Sequence, residues 1–242
     1  LEMVFWSLAI SFGIGAIILF PIIFSLNFTF KSTYISIKEN WIIGKWMLLT
    51  SIVQWFSGNL WIVNAGLILG PYMFGIFRAC QTLVNIINLL FQSLENIIPR
   101  KVSKVFSSGS IKDMKVFLKE FAIKGFFAVT IISFIIILFS KFLINFFYGT
   151  ETAEYYKFMI YLSMVLPITF LTFPYTYGLR AIGKTKPIFI STVLSSFFAI
   201  LASKFVITNF HVYGLIVGIF FTQIIVLTSL YIGYLYYLKK IK

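Results

Sequence analysis

Six polar side chains recur along one apolar stretch of the chain, between Gly70 and Arg100. Successive members are 3, 4, 3, 4 and 3 residues apart, the spacing of a helix with one polar face: Arg78, Gln81, Asn85, Asn88, Gln92 and Glu95. At about 1.5 Å per residue, the stretch is long enough to cross a bilayer core of about 30 Å. A spanning helix cannot turn such a stripe towards lipid, so we expect it to face other helices or a wet cavity.

Arg78 has the most distinctive chemistry of this polar stripe. An arginine at the centre of a membrane span costs about 2.5–3.5 kcal/mol on insertion scales, and such a residue usually marks function or an ion pair. Glu95 lies roughly 25 Å further along the same helix axis, so the two cannot pair within one helix. Arg78 therefore needs a partner on another element or an anionic ligand, and its planar fork of donors suits phosphate.

A second polar stripe lies on the preceding apolar segment, where residues recur at spacings of 4, 3, 4 and 3: Thr50, Gln54, Ser57, Trp61 and Asn64. Gly70 and Pro71 predict a tight turn between the two segments, which makes them a hairpin with both polar faces turned to one space. We therefore predict a substrate-binding cavity lined by Arg78, Gln81, Asn85, Asn88, Gln92, Gln54 and Asn64. The alternative is that the amides join helices by hydrogen bonds.

Residues that could perform catalysis are scarce. The one histidine, His211, falls in a short loop and is interpreted as a surface residue. No cysteine or histidine pair has the spacing of metal ligands, no glycine-rich phosphate loop occurs, and the lone Cys80 is interpreted as packing within a span. The sequence predicts no metal, no cofactor and no enzymatic activity, with a membrane-embedded enzyme or structural subunit as a further class.

Composition places the chain in a membrane. Of its 242 residues, 60% are hydrophobic and 11% are charged, against about 25% charged in a soluble domain. The net charge of +13 could suggest nucleic acid, but the basic residues lie between apolar segments. Orientation in the bilayer explains them better, so we expect membrane lipids and no nucleic acid as partners.

The apolar segments predict an all-α polytopic membrane protein with about seven transmembrane helices. We divide the chain into a kinked helix over 1–27, an interfacial connector over 28–40 and a six-helix lobe over 41–242.

Residues 110–113 predict a capping box at the start of a helix that begins on the surface. Two seams of small residues predict close helix packing: Ser191, Ser195, Ala199 and Ser203, then Gly214 and Gly218. Because position 1 is not Met, we expect it to be a cut point in a longer protein.

The loops differ sharply in charge. If they alternate sides, one side holds only Lys141, Lys157 and Lys204. The other holds Lys31, Lys38, Lys45, Arg100, Lys101, Lys104, Lys112, Lys115, Lys119, Lys124, Arg180, Lys184, Lys186, Lys239, Lys240 and Lys242. The positive-inside rule places the basic side, including the C-terminus, in the cytoplasm.

The most specific sequence runs are FRACQTLVN and QSLENIIPRK, with GKWMLLTSIVQWFSGNLW, FFYGTETAEYYKF and GLRAIGKTKP beside them. Together they resemble the Wzx-type lipid-linked O-antigen flippases of the multidrug/oligosaccharidyl-lipid/polysaccharide exporter superfamily. The resemblance covers roughly residues 40–242. It implies two six-helix lobes around a central cavity, of which this chain would supply the last helix of the first lobe and the whole second lobe.

The resemblance also implies a function. The protein would move an undecaprenyl-pyrophosphate-linked oligosaccharide from the inner to the outer leaflet of the bacterial inner membrane by alternating access. This would serve O-antigen, lipopolysaccharide or capsule synthesis, with a polysaccharide polymerase as a further expected partner. Arg78 would match a cationic cavity residue that faces the pyrophosphate or the sugar. A multidrug extrusion antiporter and a lipid II flippase on the same scaffold are the alternatives.

Overall fold

The computed structural model describes residues 30–240 and six earlier positions, 6, 10, 13, 14, 17 and 20; within 30–240 it omits the side chains of residues 30–36, 39, 43, 56 and 57. The chain divides into two compact units, Leu1–Ile42 and Ile43–Lys242. The helix predicted over 1–27 lies outside the described residues apart from the six positions. The connector predicted over 28–40 is helical from Phe30 onwards.

Residues 30–240 form six α-helices and no strand. In chain order the elements are α1 (Phe30–Val84), a 3₁₀ turn (Asn85–Ile87), α2 (Asn88–Ser108), α3 (Ile111–Tyr148), α4 (Thr150–Ala153), α5 (Tyr156–Ala181) and α6 (Lys186–Lys240). The all-α class predicted from the sequence is confirmed.

Four helical stretches in the described part of the chain are long and apolar enough to cross a membrane: Asn40–Ser108, Ile111–Tyr148, Tyr156–Ala181 and Lys186–Lys240. The first is broken at Gly70, with φ of 77°, and the last at His211, with φ of 51°. Each break therefore divides a long stretch into two crossings, which gives the six crossings predicted after residue 40.

The break at Gly70 is a reversal of direction, as the sequence predicts. A Cβ added at Gly66 would lie 3.9 Å from the ring of Phe74, a contact that residues eight apart on a straight helix, about 12 Å along its axis, cannot make. Gly70 adopts a positive φ that glycine tolerates readily, and the following Pro71 begins the returning helix. The first two crossings of the lobe are therefore a hairpin.

The start of α3 is fixed by the predicted capping box. The hydroxyl of Ser110 accepts from the amide of Asp113 at 3.3 Å, and the amide of Ser110 donates to the Asp113 carboxylate at 2.8 Å. The amide of Ser110 and its hydroxyl, which lies 2.9 Å from the carboxylate, both donate to Asp113 and hold the pKa of that carboxyl below its usual value. The 38 residues of α3 extend about 57 Å, more than a bilayer core, so this first turn projects beyond the spanning part.

The first half of α1 packs beside the first half of α6. The rings of Trp46 and Phe189 are 5.5 Å apart, and further along both helices the amide of Asn64 donates to the hydroxyl of Ser203 at 2.7 Å. The contacts advance together, so the two helices run in the same direction. The predicted small-residue seam of α6 lies at this contact and is buried: Ser191, Ser195, Ala199 and Ser203.

The second half of α6 meets α1 at the other predicted seam. A Cβ added at Gly218 would overlap the indole of Trp61, and one at Gly214 would overlap the backbone of Val206 in the preceding half of α6. Only glycine, which has no Cβ, fits at these two contacts. The prediction that Gly214 and Gly218 serve close helix packing is therefore confirmed.

Basic and aromatic side chains from three distant segments meet at one end of the lobe. The ammonium of Lys186 lies 5.6 Å from the ring of Trp46, and that of Lys184 lies 6.0 Å from the ring of Tyr237. We call this end the basic end. The first turns of α3 pack in one cluster with Leu238 near this end, and α3 then continues for the rest of its 38 residues. The loop between α3 and α5 therefore lies at the opposite end of the lobe.

Candidate substrate cavity

A cavity of about 500 Å³ lies inside the lobe, within the unit Ile43–Lys242. Its walls come from both halves of α1, from α2 and α5, and from both halves of α6. Its polar lining is built mainly from hydroxyl and amide side chains: Thr50, Gln54, Gln81, Thr169, Thr172, Thr176, Ser191, Thr192, Ser195, Thr222 and Gln223. The volume lies in the range of small-molecule binding sites.

The hydroxyls of this lining are engaged with their own helices. Thr50 donates to the carbonyl of Trp46 at 2.7 Å, and Thr222 donates to the carbonyl of Gly218 at 2.7 Å. The hydroxyls of Thr169, Thr172, Thr176, Ser191, Thr192 and Ser195 donate in the same way to carbonyls three or four residues earlier. A hydroxyl has one donor proton and two acceptor lone pairs. Because the proton of each of these hydroxyls is already used, each can act towards a ligand only as an acceptor.

One ion pair closes the basic end of the cavity. The guanidinium Nη1 of Arg180 on α5 lies 3.1 Å from the carboxylate Oε1 of Glu95 on α2. The two are the charged residues of the cavity lining, and the pairing leaves that lining without net charge. Arg180 is therefore the ion-pair partner of Glu95. Arg78 lies too far from Glu95 along the same helix axis to take that role.

Two aromatic residues of the cavity wall hold donors without a protein acceptor. Trp61 is 4% exposed and Tyr177 is 1% exposed, and among the described residues neither the indole N–H nor the phenol O–H has a hydrogen-bond partner. A buried unsatisfied donor costs about 1–3 kcal/mol. Both donor atoms are covered by neighbouring side chains, so an acceptor would reach them only after those side chains move.

Two of the seven predicted site residues line this cavity, namely Gln54 and Gln81. Arg78 is exposed beside it, and its Nη1 donates to Oε1 of Gln81 at 2.7 Å. Asn64 lies outside the cavity and joins two helices through Ser203, the alternative role considered for the amides. A part in substrate binding stays a prediction for all seven residues.

The other three predicted residues, Asn85, Asn88 and Gln92, are exposed on the surface of the lobe rather than in its interior. The 3₁₀ turn over Asn85–Ile87 interrupts the helix in the middle of the stripe. An exposed polar band on a spanning helix still requires a protein or aqueous neighbour, because lipid cannot satisfy its amides. What the band from Arg78 to Gln92 faces, another protein surface or an aqueous space, therefore stays a prediction.

Sequence reasoning missed most of the cavity lining. Thr169, Thr172 and Thr176 of α5 have the same spacing of 3 and 4 residues as the two predicted stripes. Ser191 and Ser195 were assigned to packing, and they both pack and line the cavity. The spacing in α5 is the signal that could have found the third wall.

Comparison with known proteins adds one finding. Residues 47–206 match the MatE family, which covers both halves of the α1 hairpin, α2, α3, α5 and the first half of α6. No curated protein and no solved structure matches the chain.

Proposed function

We propose that this chain, which belongs to the MatE family of membrane transporters within the multidrug/oligosaccharidyl-lipid/polysaccharide exporter superfamily, moves a lipid-linked oligosaccharide across the bilayer. The cargo would be an undecaprenyl-pyrophosphate-linked glycan, and the direction would be from the inner to the outer leaflet. The observation that carries the proposal is the cavity inside the lobe, which is rich in acceptors and has no net charge because its two charged residues pair with each other.

The cavity lining suits a sugar because the two have complementary hydrogen-bonding groups. Each sugar hydroxyl can donate to a threonine or serine oxygen whose own proton is already given to the helix backbone. Aromatic walls with a few placed polar groups are the usual composition of such sites.

Arg78 is the candidate for the anionic part of the cargo. It is exposed, and among the described residues its side chain has an amide partner, Gln81, and no carboxylate. Most of the donors of its guanidinium therefore remain available for a pyrophosphate. Since Gln81 also lines the cavity, the phosphate group would lie next to the sugar.

Transport requires that the site open to each leaflet in turn. The 3₁₀ turn over Asn85–Ile87 lies between Arg78 and Glu95 and is a natural place for the helix to bend, since such turns within helices often mark hinges. We propose that the basic end faces the cytoplasm of a bacterial inner membrane, so that cargo enters from the side on which it is made. A polysaccharide polymerase would then receive it.

The experiment is to change Arg78→Ala in the protein of the host organism and to measure surface glycan and the pool of lipid-linked intermediates. We expect surface glycan to fall at least tenfold and the intermediates to accumulate on the inner leaflet. Arg100→Ala is the matched control, because Arg100 is an exposed arginine on the same hairpin arm outside the cavity. Normal glycan with Arg78→Ala would contradict the assignment.

A multidrug antiporter is the second candidate, and one observation favours it: a carboxylate, Glu95, lines the cavity. An organic cation needs such a charge, but here Arg180 already compensates it. Deletion of the gene separates the two candidates. Altered susceptibility to cationic drugs with intact glycan would favour drug export, and lost glycan with unchanged susceptibility would favour the flippase. A lipid II flippase would instead arrest peptidoglycan synthesis.

A further inference from the structure

A groove of about 270 Å³ lies between α3, α5 and α6 and shares no lining residue with the cavity. Two lysines of α3, Lys115 and Lys119, lie along it. Its other walls include two tyrosines and two leucines, Tyr175, Tyr234, Leu235 and Leu238. We call it the lipid groove.

The floor of the lipid groove is a fixed part of the fold. A Cβ added at Gly178 would lie 2.6 Å from the ring of Tyr234 and 2.9 Å from Leu118, so the three helices meet closely at this glycine. Leu118, Tyr234 and Leu238 are buried and belong to one hydrophobic cluster. The groove is therefore a preformed surface and not a gap between loosely packed helices.

Charge in the lipid groove is uncompensated. Lys115 and Lys119 are one helical turn apart, and the lining contains no carboxylate. In the described part of the chain neither lysine forms an ion pair, and the nearby Glu120 is engaged by Lys124 at 3.1 Å. Two ammonium groups thus stand beside an apolar wall and lack an anion.

The position of the lipid groove fits a membrane interface. Lys115 lies in the second turn of α3, and Leu238 lies in the last turn of α6, both at the basic end of the lobe. Basic pockets between spanning helices at such an end bind anionic lipid headgroups. Leu235, which is 39% exposed, offers an apolar surface to a chain that leaves the headgroup.

We propose that the lipid groove binds one anionic diacyl phospholipid of the surrounding membrane. Its phosphate lies between Lys115 and Lys119, the hydroxyls of Tyr175 and Tyr234 can donate to its oxygens, and an acyl chain follows the leucines. This site is separate from the transport cavity, so the proposal does not depend on the cargo assigned above.

The test is native mass spectrometry of the detergent-purified protein, titrated with phosphatidylglycerol or phosphatidylcholine. We expect one phosphatidylglycerol to bind preferentially, and Lys115→Gln with Lys119→Gln to weaken it about 30-fold at low salt, since each lysine near a headgroup contributes about 1 kcal/mol and tenfold is about 1.4 kcal/mol. Lys115→Arg with Lys119→Arg should retain binding. The matched control is Lys101→Gln with Lys104→Gln, which removes two exposed lysines outside the groove and leaves the Lys124–Glu120 pair intact.

Three results would overturn the proposal. Equal binding by the glutamine pair and its control would show that general charge attraction holds the lipid. Equal binding of phosphatidylcholine would show that the lysines do not select the headgroup. Retention of a polyprenyl pyrophosphate in place of a diacyl lipid would assign the lipid groove to the cargo.

Discussion

The guanidinium of Arg180 lies 3.1 Å from the carboxylate of Glu95 and joins α5 to α2 at the basic end of the cavity. The pair removes net charge from a cavity whose other polar groups are neutral. It also links the hairpin that bears Arg78 to the helix that carries the threonine wall. The electrostatic character of the cavity therefore depends on a contact between residues 85 positions apart.

We predict that this pair contributes little to stability. The side chains are 28% and 53% exposed, and exposed ion pairs are worth about 0.2–1 kcal/mol. A double-mutant cycle of Glu95→Gln and Arg180→Gln, followed by denaturant or thermal unfolding in detergent, should give a coupling energy in that range. A coupling above about 2 kcal/mol would mean that the pair is structural, and its part in neutralising the cavity would need revision.

Gly218 should tolerate no side chain. A Cβ there would overlap the indole of Trp61, which is itself buried in the cavity wall, and overpacking of this kind costs about 1–3 kcal/mol. We expect Gly218→Ala to lower the midpoint of thermal unfolding measurably. Gly75→Ala is the control, because no atom lies within 4 Å of a Cβ at Gly75. That control should be neutral or slightly stabilising, since alanine favours a helix over glycine. Equal midpoints for the two variants would contradict the packing described for α1 and α6.

The features predicted correctly from the sequence are those decided by neighbours in the chain. The turn at Gly70 follows from a glycine and a proline between two apolar segments, and the cap at Ser110 follows from two residues three apart. The seam at Ser203 follows from spacing within one helix. In each case local sterics or hydrogen bonding is sufficient to specify the outcome.

The cavity depends on contacts that one sequence does not show. Its walls combine residues of α1, α2, α5 and α6, and no local pattern states which stripes face one another. The prediction of the first polar stripe assumed a uniform α-helix, and the 3₁₀ turn at Asn85 departs from that geometry. This is why Gln54 and Gln81 were predicted together with Asn64, which instead bonds Ser203.

Removal of one cavity hydroxyl should weaken transport without loss of fold. Thr222 lines the cavity and donates to the carbonyl four residues before it at 2.7 Å; Thr228, on the same helix, makes the equivalent bond at 2.8 Å but is exposed and lies outside the cavity. The change to valine removes the same bond at each site. We expect Thr222→Val to reduce surface glycan several-fold and Thr228→Val to leave it unchanged. Equal glycan in both variants at equal expression would indicate that the cavity does not bind cargo.

The orientation of the lobe can be tested with single cysteines, since the native Cys80 is fully buried and should stay unlabelled. Lys112 is exposed in the first turn of α3, and Glu151 is exposed in α4, just beyond the other end of α3. The positive-inside rule predicts that Lys112 faces the cytoplasm. A membrane-impermeant maleimide added to intact spheroplasts should therefore label Glu151→Cys and not Lys112→Cys, and inverted vesicles should show the reverse. Labelling of Lys112→Cys from outside would show that the lobe has the opposite orientation. The proposed entry of cargo from the basic end would then be wrong.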